Sequence, residues 1–101
     1  AHKLELDDAH VEQLAAILND LKTERAQADV DERRTTAAFA DVVSGATFDG
    51  SKAAEAGAQR VKTAERLRDA VVRALGRIHA MLNDEQRAKL AYLIRTGALA
   101  I

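Results

Sequence analysis

The 101-residue chain contains no cysteine, no proline and no tryptophan, and its only aromatic residues are Phe39, Phe48 and Tyr92. Without cysteine there is neither a disulfide framework nor a thiolate metal site. That absence fits an oxidising compartment as well as a reducing one. Without proline nothing in the chain obliges a helix to break. No apolar run reaches membrane-spanning length, and no leader peptide is present, as would hold for the mature or excised part of an exported or anchored protein. Fifteen Lys and Arg face sixteen Asp and Glu, for a net charge of −1. A balance so near zero gives no long-range field with which to argue for nucleic acid or a membrane surface.

What remains is rich in helix formers. Apolar residues make up 48% of the chain, but much of that share is alanine, which buries little area. A single domain spanning 1–101 is expected, with a narrow core of leucine, isoleucine and valine between close-packed helices. Dimerisation would add burial that so thin a core lacks.

Propensity and periodicity predict an all-α fold with helices at about 7–44, 51–81 and 84–96. In the first, Val11, Leu14, Ile17, Leu18 and Leu21 form an apolar stripe that returns at Ala37, Phe39, Ala40, Val42 and Val43. The intervening stretch, Lys22 to Thr36, is polar. Residues 45–50 read as a loop, with Gly45 suited to a left-handed helix end, Asp49 or Ser51 as the next cap, and Phe48 folding back over the turn. The second helix carries Ala54, Ala58, Val61, Ala64, Leu67, Val71, Ala74, Leu75, Ile78 and Leu82 at spacings of three and four. It would be about 45 Å long and needs a partner; the short loop makes the first helix its antiparallel neighbour. Gly57 and Gly76 within it suit either close approach of another backbone or tolerated substitutions. The third helix presents Leu90, Leu93 and Ile94, and Gly97 ends it. The expected architecture is a long antiparallel helical hairpin with a shorter C-terminal helix folded back.

Two helix starts share one pattern. In Leu82-Asn83-Asp84-Glu85-Gln86, Asn83 can accept an unpaired first-turn N–H and Gln86 can reach back to it, while Asp84 and Glu85 complement the helix dipole. Leu6-Asp7-Asp8-Ala9-His10 repeats the order more loosely, with Asp7 at the cap and His10 in the fifth place.

These segments resemble the Leu-Thr-x-x-Gln motif of the Spy/CpxP-type periplasmic proteins and the related periplasmic heavy-metal sensors, in which the motif opens the first and last helices. Leu82 to Gln86 matches with Asn83 in place of threonine; Leu6 to His10 departs from the pattern at Asp7 and His10. The resemblance extends to the charged first helix, the turn with Phe48-Asp49 and the run Arg77 to Met81. It implies an all-α fold, a homodimer, the periplasm, and one of three roles: ATP-independent chaperone, stress-signalling regulator, or nickel, cobalt, zinc or copper sensor ahead of a membrane-anchored system. A purely structural dimerisation module of such a regulator is a further alternative.

No cofactor or metal is expected from the residues. Side chains converge on a helix at spacings of three or four, but His79 and Met81 are two apart. Ala74 and Ile78 stand where the relatives carry a histidine and a methionine. A divalent transition metal would have to draw on His10 and His79, together with His2, if the two ends of the hairpin meet. Nor is catalysis expected: the carboxylates are spread along solvated faces, and no nucleophile–base set or glycine-rich phosphate loop is present. Arginines on the second helix alternate with Glu65 and Asp69, which reads as a solvated charged face and not as a nucleic-acid site. Within the family resemblance, Arg60, Arg66, Arg73 and Arg77 form a candidate surface for unfolded clients or partner proteins.

Overall fold

The computed structural model describes residues 4–101. Every regular element among them is helical: α1 spans Asp8–Ser44, α2 Gly50–Met81 and α3 Asp84–Arg95. The expected all-α arrangement of two long helices and a shorter third is therefore present. Among the described residues no helix is long and apolar enough to cross a membrane. The contacts divide the chain into two compact units, one of residues 4–21 with Val71–Ile101 and one of Lys22–Ala70.

In the first unit the core is made of branched aliphatic side chains. Leu14, Ile17 and Leu21 of α1, Ala74 and Ile78 of α2, Leu82 before α3 and Leu90 within it are all buried. Ile78 is completely shielded, and Leu4, in the stretch preceding α1, is only 2% exposed. The helices run antiparallel here: Arg77 donates from Nη1 to Asp20 Oδ2 at 3.1 Å. Both partners of that ion pair are more than half exposed, so it contributes a fraction of a kcal/mol, on the order of 0–1. The C-terminal end of α3 turns on Gly97, whose φ of +78° is open to glycine without steric cost. The Leu99 N–H then donates to the Leu93 carbonyl at 3.1 Å, and Leu99 and Ile101 are left half-buried.

The Lys22–Ala70 unit is built differently. Its buried positions are Ala28, Thr35 and Val42 on α1 and Ala56, Thr63 and Ala70 on α2. Each set recurs every seven residues, with Asp31 and Ala38 half-buried between those of α1, Ala53 half-buried just ahead of those of α2 and Leu67 half-buried among them. This is the spacing of a coiled-coil seam, made of side chains small enough to bring two backbones close. The polar stretch 22–36 thus supplies two of the three buried α1 positions of this unit. Thr35 and Thr63 are tolerated inside because each hydroxyl donates to a carbonyl of its own helix, Glu32 at 2.9 Å and Gln59 at 3.1 Å. A buried hydroxyl that is hydrogen-bonded forfeits little on leaving water.

This seam corrects the expected inward face of α2. Ala54, Ala58, Val61 and Ala64 face solvent, Val61 with 57% of its surface exposed. Alanine occurs on every side of this helix and so carries little orientational information. The true face is marked by the seven-residue recurrence of Ala56, Thr63 and Ala70. Near the turn, Val43 is likewise exposed, and α1 buries Val42 in its place.

The turn itself differs in two details. Gly45 does not take a left-handed conformation; what favours glycine there is a close approach, since a Cβ would lie 3.0 Å from the Thr47 carbonyl oxygen. Phe48 does not fold back over the helices but is 74% exposed. Asp49, and not Ser51, opens α2, its Oδ1 accepting the Lys52 N–H at 3.1 Å.

Candidate functional site

The segment that starts α3 is a densely bonded polar site in the first unit. Asn83 adopts an extended backbone, and its Oδ1 accepts the Gln86 N–H at 2.9 Å. Gln86 Oε1 accepts the Asn83 N–H in return, also at 2.9 Å. The two bonds satisfy donors that the first helical turn leaves unpaired. Asp84 and Glu85 place negative charge at the positive end of the helix.

The same segment reaches two other parts of the unit. Gln86 uses its remaining amide nitrogen, Nε2, to donate to the carbonyl of Leu4 at 3.2 Å. Arg87 donates from Nε and Nη2 to the carbonyl of His79, at 3.1 and 3.0 Å, and from Nη1 to Asp84 Oδ1 at 3.2 Å. His79 lies in the last turn of α2, where carbonyls have no partner within the helix. One short segment therefore caps its own helix, closes the preceding one and holds Leu4, ahead of α1. Leu82, at the head of the motif, is buried beside these bonds in sequence and belongs to the core of the unit.

The first helix start is simpler. Asp7 Oδ1 accepts the His10 N–H at 2.8 Å, and the His10 Nδ1 stands 3.0 Å from the same oxygen. That backbone hydrogen bond, helped by the charge of the imidazole, holds the Asp7 carboxyl below its ordinary value of 3.8, against a smaller opposing effect of desolvation. His10 thus stands in the motif's glutamine position but meets the side chain of the cap and not its backbone. Leu6 is half-buried. Glu5, just before it, has a φ of +55°, which turns the chain sharply and lets Leu4 enter the core.

The four arginines singled out on α2 have separate surroundings. Arg60 donates from Nε to Thr35 Oγ1 at 3.3 Å and from Nη2 to Thr36 Oγ1 at 3.1 Å. Its guanidinium also lies 5.1 Å from the centre of the Phe39 ring, within range of a cation–π contact. Arg66 borders a narrow crevice with Glu24, Gln27 and Asp31. Arg73 is exposed, and Arg77 is engaged with Asp20.

A larger concavity lies near the turn of the Lys22–Ala70 unit. It is an open groove of about 670 Å³ with Ala38, Val42 and Ala56 on its floor and Arg34, Asp41 and Lys52 at its rim. Sequence reading missed it because its floor is the alanine seam, whose facing was not legible. The same reading missed the Leu4–Gln86 bond, whose partners are 82 positions apart.

Among the described residues no three His, Cys, Asp or Glu side chains come together as a metal-binding group. His10 is committed to Asp7, and His79 is an exposed residue at the end of α2. His2 lies outside the described residues.

The model of the LTXXQ motif family matches residues 1–93. No curated protein and no solved structure matches the chain. The matched span takes in both helix starts, and the capping box at Asn83 and Gln86 gives the second of them its physical form. The chain belongs to the LTXXQ motif family.

Proposed function

We propose that this domain works in the periplasm as a stress-response protein that binds other proteins through its helical surface, as an ATP-independent chaperone or a signalling regulator, and without catalysis. Family membership supports the compartment and the broad role. The observation that carries the binding mode is the surface of the Lys22–Ala70 unit, where Val43, Phe48 and Val61 are largely exposed. Exposed apolar side chains set among charges favour fast, weak and poorly selective contact with unfolded chains. Arg60 stacked on Phe39, and Arg66, lie in the same unit and supply the cationic component.

Light scattering from an aggregating client protein tests the reading. Suppression at equimolar domain is expected, reduced when Val43, Phe48 and Val61 are changed together to serine. No suppression at equimolar protein argues against the chaperone branch. The heavy-metal-sensor alternative finds no ligand group among the described residues. Calorimetric titration with nickel, cobalt, zinc and copper tests it independently.

A further inference from the structure

We propose that the stretch of residues 4–6 that precedes α1 is a releasable latch on its unit, and that Gln86 couples the docking of that latch to the capping of α3. The inference stands apart from the protein-binding role and rests on three observations. Leu4 is as deeply buried as the core leucines although it precedes α1. Glu5, beside it, is held at a φ of +55°, a left-handed conformation that L-residues occupy only at an energetic cost. Burial therefore favours the closed state while the backbone opposes it, a balance that places an open state within reach.

The third observation is the double use of one amide. Gln86 Oε1 accepts from Asn83 and Nε2 donates to Leu4, at 2.9 and 3.2 Å. A single side-chain orientation serves both bonds, so a docked Leu4 holds the glutamine in the orientation that completes the cap. Coupling of this kind is reciprocal: whatever loosens the cap loosens the latch, and the reverse. Glu5 and Asp7 are exposed and Leu6 is half-buried, so the stretch lies over the unit with one side in solvent and can leave without dragging α1 with it. Opening uncovers the apolar surface that Leu4 shields, while Asn83 Oδ1 can still accept the Gln86 N–H.

The variant Gln86→Glu separates the two bonds. A carboxylate keeps the acceptor for the Asn83 N–H and suits the positive end of α3, but has no donor for the Leu4 carbonyl. Backbone ¹⁵N relaxation on the full chain at neutral pH reads the result. Residues 4–6 are expected to be rigid in the parent protein, with order parameters of about 0.85, and to fall below about 0.6 in Gln86→Glu while α3 stays rigid. In Leu4→Ala, exchange of the Asn83 amide with water is expected to quicken at least tenfold, with the amides of Lys22–Ala70 unchanged. Rigid residues 4–6 in Gln86→Glu overturn the proposal, as does an unchanged Asn83 amide in Leu4→Ala. A uniform rise in exchange along the whole chain also overturns it, because Leu4 is then ordinary core.

Discussion

Arg87 closes the end of α2 from outside that helix, with Nε and Nη2 both bonded to the carbonyl oxygen of His79. A planar guanidinium offers two parallel donors to one oxygen, which an ammonium on a flexible stem does not reproduce. Arg87→Ala is expected to cost about 1 kcal/mol, the value of a charged hydrogen bond discounted for its partial exposure. Arg87→Lys should recover only part of it. Urea denaturation checks both, through a lower midpoint at an unchanged slope.

The seam of the Lys22–Ala70 unit can be tested by comparing two alanines on α2. Ala56 is buried and Ala58 is exposed. Ala56→Leu forces extra volume between two close backbones and is expected to destabilise by about 2 kcal/mol. Ala58→Leu should stay within about 0.5 kcal/mol of the parent. Equal effects would show the inward face to be misassigned.

Gly57 and Gly76 sit inside α2, and a Cβ built on either meets nothing within 4 Å. Among the described residues, therefore, no close approach of another backbone requires either glycine. Replacing either with alanine should stabilise the helix by about 0.5–1 kcal/mol, chiefly by reducing the freedom of the unfolded chain. A rise in melting temperature for each variant is the expected reading. A fall at either position would reveal a neighbour outside this chain that needs the missing Cβ.

The Asp7 carboxyl is held below its ordinary value of 3.8 by the His10 N–H. A carboxyl depressed on folding contributes stability that is fully present above its unfolded value and is lost as pH falls through the folded one. The start of α1 should therefore loosen in acid, below the ordinary value of 3.8. Asp7→Asn keeps a capping oxygen but cannot titrate. Amide shifts of residues 8–10 followed by NMR from pH 5 to about pH 2 should show the loosening in the parent and not in the variant.

The parts of the fold that sequence makes legible are those set by neighbours in the chain. Asn83 and Gln86 are three positions apart, so their reciprocal caps follow from local geometry, as does Asp7 with the His10 N–H. The facing of α2 was not legible for the opposite reason. Ala54, Ala56 and Ala58 are chemically equal, and only packing against α1 distinguishes them. The burial of Thr35 and Thr63 was not legible for a related reason, since each hides its hydroxyl on its own helix and then packs as a small apolar residue. Leu4 escaped notice because its burial depends on a left-handed glutamate, which no sequence pattern announces. The groove beside Val42 follows from the same unreadable seam. Arg60 drew notice for its charge, and the structure adds its bonds to Thr35 and Thr36 and its place over Phe39.

The alanine seam also bears on the order in which the chain comes apart. Residues 4–21 and Val71–Ile101 lock together through leucine and isoleucine, whereas the fully buried apolar side chains of Lys22–Ala70 are three alanines and Val42. Each alanine brings only a fraction of the apolar area that a leucine does. Stretches with so little to hold them breathe first, and amide exchange grades a protein by that measure. Backbone amides of Lys22–Ala70 should therefore exchange through small, frequent openings, and those around Ile78 only through the largest. Within α2 itself, the residues up to Ala70 would thus yield more readily than those from Val71 onward, a difference written in the sizes of the side chains that each stretch buries.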